Sequence, residues 1–215
     1  MMPKGPKAAP TAESLIQLLG DVVLPMYGIE RTILAPTNPP RLENDAEHSF
    51  SLGIAACCFA PLVDPLLEVG LVAQYALVHD LVEVYAGDTS VYADATDRAA
   101  KVERERAAFD RIVMENQNRC PWLTERLDAY IAAADPEGRF VHAMDKLLPH
   151  AVVLLADAHP LRRTWDDYLE SERVAAAKIS RYFPALLPLF TQLCRMFAER
   201  PHLFSDRSDA EASDE

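Results

Sequence analysis

The chain has 215 residues, half of them hydrophobic, and a formal net charge of −12 from 21 Lys and Arg against 33 Asp and Glu. This length supplies one substantial core, so a single domain is expected. The negative charge repels a phosphate backbone on average and argues against nucleic-acid binding, but it leaves a small anionic substrate open, because a cation and one or two arginines can reverse the potential in a cleft.

Composition predicts an all-α architecture. The chain contains only 7 Gly, few segments alternate with period two, and the 16 Pro residues fall mainly between helical periods. We predict disordered tails at residues 1–10 and 205–215, which are polar, Pro-rich or acidic, and a helical domain over residues 11–204. A first helix is predicted from an N-cap at Thr11 to near Pro25.

The next stretch, residues 28–42, holds three prolines and no helical period, so we predict an ordered loop that contains Arg31. Long loops in compact domains often line a site. Asn44 and Glu47 then form a capping box that starts a helix, with His48 in its first turn. A histidine there is either a hydrogen-bonded core residue or a ligand.

Residues 65–86 are apolar on almost every side, which is typical of a helix at the centre of a domain. This predicted helix nevertheless carries His79, Asp80 and Glu83. At about 100° per residue the three side chains share one sector. Each would cost roughly several kcal/mol to bury alone, so a cation, a hydrogen-bond network or a water-filled cleft must satisfy them.

The remaining helices are predicted at residues 94–118, 121–136, 137–155, 165–183 and 184–199. The helix from residue 137 has a clear apolar stripe, and Asp145 lies beside Met144 and Leu148 on its inward side. Pro149 cannot donate to the Asp145 carbonyl, which predicts a kink one turn later. Another carboxylate is therefore expected inside the domain.

Four candidate ligands thus come from three segments: His48, His79, Asp80 and Asp145. Two imidazoles and two carboxylates suit one divalent ion, such as Mn, Co, Ni, Fe, Zn or Mg, with positions left for water and substrate. A buried polar network that bridges three helices is the alternative interpretation.

The order of the motifs ENDAEHS, HDLVEVYAGD and AMDKL resembles the HD-domain metal-dependent phosphohydrolases, and most closely their 5′-deoxynucleotidase-like branch, over residues 28–155. In that family a histidine, the HD pair and a late aspartate hold the metal, which His48, His79, Asp80 and Asp145 match. The resemblance implies a single-domain HD-type helical bundle.

It also implies an enzyme that hydrolyses (deoxy)nucleoside 5′-monophosphates to nucleoside and phosphate. Glu83 would position or deprotonate the attacking water, and Arg31 would offset the phosphate charge. Asp88, which follows the predicted C-cap at Gly87, would bind the sugar or protonate the leaving oxygen. Deoxy-selective members carry Trp where this chain has Thr32, so the sugar preference stays open.

Two other readings remain. An HD phosphodiesterase or oxygenase needs further histidines between the HD pair and the last aspartate to hold a second metal, and this chain offers only His142. His142 shares a helix face with Asp145 and could support it. The other alternative is a non-catalytic helical binding module that retains the buried polar residues.

The four cysteines lack zinc-ligand spacing and are expected to be reduced thiols. The N-terminus has no signal-peptide pattern and no run of 18 apolar residues occurs, so we expect a cytoplasmic protein without a membrane partner. The expected partners are a small-molecule nucleotide and, because similar HD proteins are dimers, a second copy. The apolar residues 185–197 either form that interface or pack in the core.

Overall fold

The computed structural model describes residues 11–87, 95–156 and 163–207. Its helices are α1 (Ala12–Leu18), α2 (Asp45–Val63), α3 (Val69–Val78), α4 (Glu83–Ala86), α5 (Ala95–Asn116), α6 (Pro121–Ile131), α7 (Pro136–Leu155), α8 (Trp165–Tyr182) and α9 (Leu187–Ala198). The predicted all-α class is confirmed. Asp88 and the predicted tail at residues 1–10 lie outside the described residues.

The main core lies where α2, α3 and α7 pack together, with α8 and α9 closing the far side. Its largest buried side chains include Tyr75 of α3 and Phe140 and Met144 of α7. The apolar stripe predicted for α7 is the face that enters this core. A helix that is buried along such a stripe holds a neighbouring carboxylate, Asp145, in a fixed place.

A β-hairpin replaces the loop predicted for residues 28–42. Strand β1 (Glu30–Ala35) pairs antiparallel with β2 (Arg41–Asn44). The prediction was wrong because the prolines of this segment all fall in the connection between the strands, where no ladder hydrogen bond is needed. The hairpin places Arg31 on a strand rather than in a loop.

The predicted continuous helix over residues 65–86 is also wrong. α3 ends at Val78, and His79 to Val82 form turns before α4 begins. The His79 ring donates through Nδ1 to the Ala76 carbonyl, 2.9 Å away, which is the acceptor that the Asp80 amide would use in an α-helix. The following backbone bonds have i→i−3 spacing, as in Glu83 N–H to Asp80 O.

Two terminal predictions differ in detail. The first helix has its N-cap at Thr11 as predicted, but α1 stops at Leu18, and a π-helical and then a 3₁₀ segment continue to Gly28. In the predicted acidic tail, the Ser205 amide donates to the Arg163 carbonyl and Arg207 stacks on the Trp165 ring. Residues 208–215 lie outside the described part.

Among the described helices, α2 is the one that is long and apolar enough, by length and composition, to cross a membrane. Its inward side carries His48, Leu52, Ala56 and Ala60, all of them buried. A single such helix is weak evidence for a membrane, because the core helix of a soluble protein passes the same test.

Candidate metal centre

Three elements deliver the predicted ligands to one place. The Asn44 side chain accepts from the Glu47 amide, and the Glu47 side chain accepts from the Asn44 amide, so the capping box starts α2 and sets His48 in its first turn. His79 leaves the end of α3, and Asp145 projects from the buried face of α7. These three of the four ligand candidates are almost wholly buried.

One ligand atom each from His48, His79 and Asp145 lies within 4.8 Å of the other two. His48 Nε2 is 3.1 Å and His79 Nε2 is 4.0 Å from the same atom, Asp145 Oδ1. Asp80 Oδ2 is 2.9 Å from His79 Nε2. The structure thus brings together all four side chains that the sequence analysis nominated.

Both imidazole rings are held by groups that contact Nδ1, on the side away from the centre. Because the Ala76 carbonyl can only accept, the His79 ring donates through Nδ1 and turns Nε2 toward the centre. His48 Nδ1 faces Glu43 Oε2 of β2 at 3.5 Å, which likewise leaves Nε2 on the inner side. Backbone carbonyl or carboxylate support behind a histidine is typical of metal sites. The sequence analysis missed Glu43, whose burial depends on the hairpin.

The charges of the site act strongly on one another. Burial opposes protonation of His48, but hydrogen bonds with Asp145 and Glu43 outweigh it and raise the His48 pKa to about 9. Burial alone would raise the pKa of Asp145, yet Lys146 and His48 hold that pKa well below its ordinary value. In the same way, His79 outweighs burial and lowers the pKa of Asp80. The carboxylates are therefore ionised and able to bind a cation.

A group of three carboxylates adjoins the candidate metal ligands. One ligand oxygen each from Asp45, Asp80 and Glu83 lies within 4.8 Å of the others. Arg31 enters this group from β1: its Nη1 is 2.9 Å from Asp80 Oδ2 and 3.2 Å from Asp45 Oδ1, and its Nε is 3.5 Å from Glu43 Oε2. The predicted site arginine is present, but it is a part of the buried ion-pair network and not a free side chain of a loop.

Two lysines that the sequence analysis did not single out also border the site. Lys146 Nζ is 2.5 Å from Asp145 Oδ2, and Lys101 Nζ is 4.0 Å from Glu83 Oε1. Lys146 directly follows a candidate ligand, which was a usable signal. Lys101 lies on α5, and only the packing of α5 against α4 reveals its position.

His142 does not join the ligands. Its Nε2 is 2.8 Å from the Tyr130 carbonyl, and its ring is stacked between the rings of Tyr130 and Tyr182. Burial lowers its pKa. Tyr130 in turn meets His79 edge-on, with ring centroids 6.1 Å apart. His142 therefore supports the wall behind His79 and supplies no ligand to a second metal.

The residues fit a divalent ion. His79 Nε2 is buried, 2.9 Å from Asp80 Oδ2 and 4.0 Å from Asp145 Oδ1, while the Ala76 carbonyl accepts from Nδ1 on the other side of the ring. Buried carboxylate oxygens that converge on an imidazole nitrogen are costly without positive charge among them. The two imidazole and two carboxylate donors suit Mn, Fe, Co, Ni or Zn. The fold and the site together define the class: an all-helical protein with a buried set of metal ligands.

The chain belongs to the HD domain family, whose model matches residues 28–187. It is similar in structure to a predicted metal-dependent phosphohydrolase from Magnetospirillum magnetotacticum MS-1, with a TM-score of 0.72 and 25% sequence identity, over 89% of this chain and 95% of that one. No curated protein matches the chain.

Proposed function

We propose that this protein is a metal-dependent phosphohydrolase that converts (deoxy)nucleoside 5′-monophosphates to nucleoside and phosphate. The observation that carries the proposal is the convergence of His48, His79 and Asp145 within 4.8 Å, buried at the centre of an HD domain. The name of the similar structure, a predicted metal-dependent phosphohydrolase, supports the reaction class. The 5′-nucleotide substrate rests on the resemblance of the sequence motifs.

His48, His79, Asp80 and Asp145 would hold one divalent ion. When bound, that ion would supply Lewis acidity toward a phosphate oxygen and acidify a nearby water. The contacts of the two Nδ1 atoms with the Ala76 carbonyl and Glu43 keep both Nε2 atoms turned toward the metal site. Fixing the ligands in this way reduces the reorganisation needed during the reaction.

Arg31 and Lys146 would bind the phosphate group of the substrate. Arg31 lies beside Asp80 and Lys146 beside Asp145, so positive charge borders two different ligands of the proposed ion. A dianionic phosphate in this cleft would lie near both cations, whose charges outweigh the negative net charge of the whole protein at close range.

Glu83 would handle the proton of the attacking water. Its side chain is only 7% exposed, and it stands in the acidic group next to Asp80 without being required for the four-ligand set. A carboxylate in this place can orient a water by accepting its hydrogen bond and then take the proton. Asp88 would act on the sugar or the leaving oxygen; it lies outside the described residues.

The test is metal analysis of the purified protein, followed by phosphate release from a substrate panel. The panel contains deoxynucleoside and nucleoside 5′-monophosphates and bis-p-nitrophenyl phosphate. We expect one ion per chain, phosphate release from the monophosphates, and no p-nitrophenol release from the diester. Metal-free protein, or metal-loaded protein that hydrolyses no monophosphate, would reject the proposal. Cleavage of the diester alone would favour a phosphodiesterase.

A further inference from the structure

The acidic group of Asp45, Asp80 and Glu83 has the dimensions of a second cation site. Its oxygens lie within 4.8 Å of one another, and Asp80 also touches the first group, where its Oδ2 is 2.9 Å from His79 Nε2. Two adjoining donor sets that share a carboxylate are typical of two-metal hydrolytic sites. The negative charge of the second set requires a balancing cation.

The guanidinium of Arg31 lies among these carboxylates. Its ion pairs to Asp80 and Asp45 run through Nη1, at 2.9 and 3.2 Å, and its Nε approaches Glu43. The Arg31 side chain is 13% exposed, and that of Asp45 is wholly buried. Arg31 lies in β1 between two paired segments, because Glu30 pairs with Asn44 and Leu34 pairs with Leu42, and the register shifts between them. This cation is permanent and part of the fold.

The pocket has more acidic groups than Arg31 can satisfy. Asp45 is wholly buried, with Oδ1 3.2 Å from Arg31 Nη1, and its carboxyl group is also in hydrogen-bonding contact with Glu83. Two buried carboxyl groups in contact are costly unless positive charge lies beside them, so both are ready cation ligands. The carboxylates that face Arg31 or the first donor set are Glu43, Asp45, Asp80, Glu83 and Asp145.

We propose that Arg31 stands in the place of a second metal ion and limits this site to one, so that Asp45, Asp80 and Glu83 become a divalent-cation site once the guanidinium is removed. A second divalent ion in the native protein would have to displace a buried, multiply paired guanidinium, which is strongly unfavourable. The chain therefore retains a one-ion site although it contains ligands for two. This inference rests on the proposed first ion at His48, His79 and Asp145.

The decisive variant is Arg31→Met, which keeps the length of the side chain and removes its charge. Metal content is measured by elemental analysis and by Mn²⁺ titration calorimetry. We expect one ion in the wild type and two in Arg31→Met. Arg31→Lys should keep one ion, because an ammonium replaces the charge. The matched control Arg41→Met removes an arginine that pairs with Glu47 at the surface and should also keep one.

The double variant Arg31→Met/Asp45→Asn ties the second ion to this pocket, and its stoichiometry should return to one. If Arg31→Met binds only one ion while the wild type binds one, this inference fails and the proposed function stands. If the wild type binds none, the proposed function itself fails.

Loss of Arg31 strands buried carboxylates, so the metal-free variant is expected to be less stable. Its melting temperature should then rise with added Mn²⁺ by more than that of the wild type, since two ions bind the folded state. An Arg31→Met protein that stays unfolded in saturating Mn²⁺ would overturn the inference, because the pocket would then require the guanidinium itself.

Discussion

Glu83 is the residue whose substitution should change catalysis without changing metal binding. It is buried at the first position of α4, directly after the turns that carry His79 and Asp80. Lys101 of α5 lies near it, and that lysine is closer to Glu105, at 3.4 Å. The two glutamates thus share a cation, but only Glu83 belongs to the acidic group of the site.

Glu83→Gln should abolish most of the activity and leave the first metal in place. The amide keeps the size of the side chain but cannot take a proton from water, so kcat should fall by roughly 100-fold or more. Steady-state kinetics on a monophosphate and metal analysis of the same sample measure both effects. Glu105→Gln is the matched control, and full activity in Glu83→Gln would reject this role.

At the scale of elements, Asp135 joins the two helices that carry opposite sides of the site. It is the N-cap of α7, where its Oδ1 accepts from the Gly138 amide at 2.8 Å. Its Oδ2 accepts from the hydroxyl of Tyr75, a wholly buried residue of α3. One carboxylate thereby sets the start of α7 and its position against α3.

Asp135→Ala should lower the free energy of unfolding by about 2–3 kcal/mol, because it removes a helix cap and leaves a phenol without its acceptor. Tyr75→Phe should cost less, since the cap persists. Urea denaturation of the metal-free proteins measures both. Thr164→Ala, which removes the cap of α8 alone, should cost about 1 kcal/mol. An Asp135→Ala loss no larger than that of Thr164→Ala would contradict the link between α3 and α7.

The stability of the whole molecule should depend on pH through His150. This α7 residue packs against Tyr168, Phe190 and Phe197, and burial lowers its pKa from 6.5 to about 4. Between these two values the unfolded chain binds a proton that the folded chain does not. The contribution of His150 to stability is therefore complete above pH 6.5 and falls as the pH drops toward 4.

His150→Leu should remove this part of the acid sensitivity, which amounts to about 3 kcal/mol by pH 4. Unfolding free energies of the wild type and the variant, measured from pH 7 to 4, give the difference in slope. Phe190→Leu disturbs the same cluster without changing a titratable group, so it should keep the wild-type slope. Equal slopes for His150→Leu and the wild type would place the acid sensitivity elsewhere.

The fold as a whole also limits where a partner could bind. The apolar residues 185–197, one candidate for a dimer interface, contribute Leu186, Phe190, Cys194 and Phe197 to the interior. The large exposed apolar side chains of α2 are Phe50, Ile54, Phe59 and Leu62. A homodimer remains a prediction, and its interface would need a surface other than the inward face of α9.

Much of the site could be predicted from sequence because the decisive interactions are local. The Asn44–Glu47 capping box spans three residues, and it determines where α2 begins and where His48 points. The apolar stripe of α7 likewise identifies Asp145 as an inward carboxylate. Residue types that are costly to bury alone then indicated a cation among the four candidate ligands.

Only the tertiary structure decided how these residues meet. His48 and Asp145 are 97 positions apart, and Arg31 and Asp80 are 49 apart, so no local period reports their contacts. The break after Val78 and the hairpin that buries Glu43 depend on the packing around them, which overrides helical and loop propensity. The sequence determined which groups need a charged partner. Long-range packing decided that Arg31 is the charged partner of the acidic group beside His79.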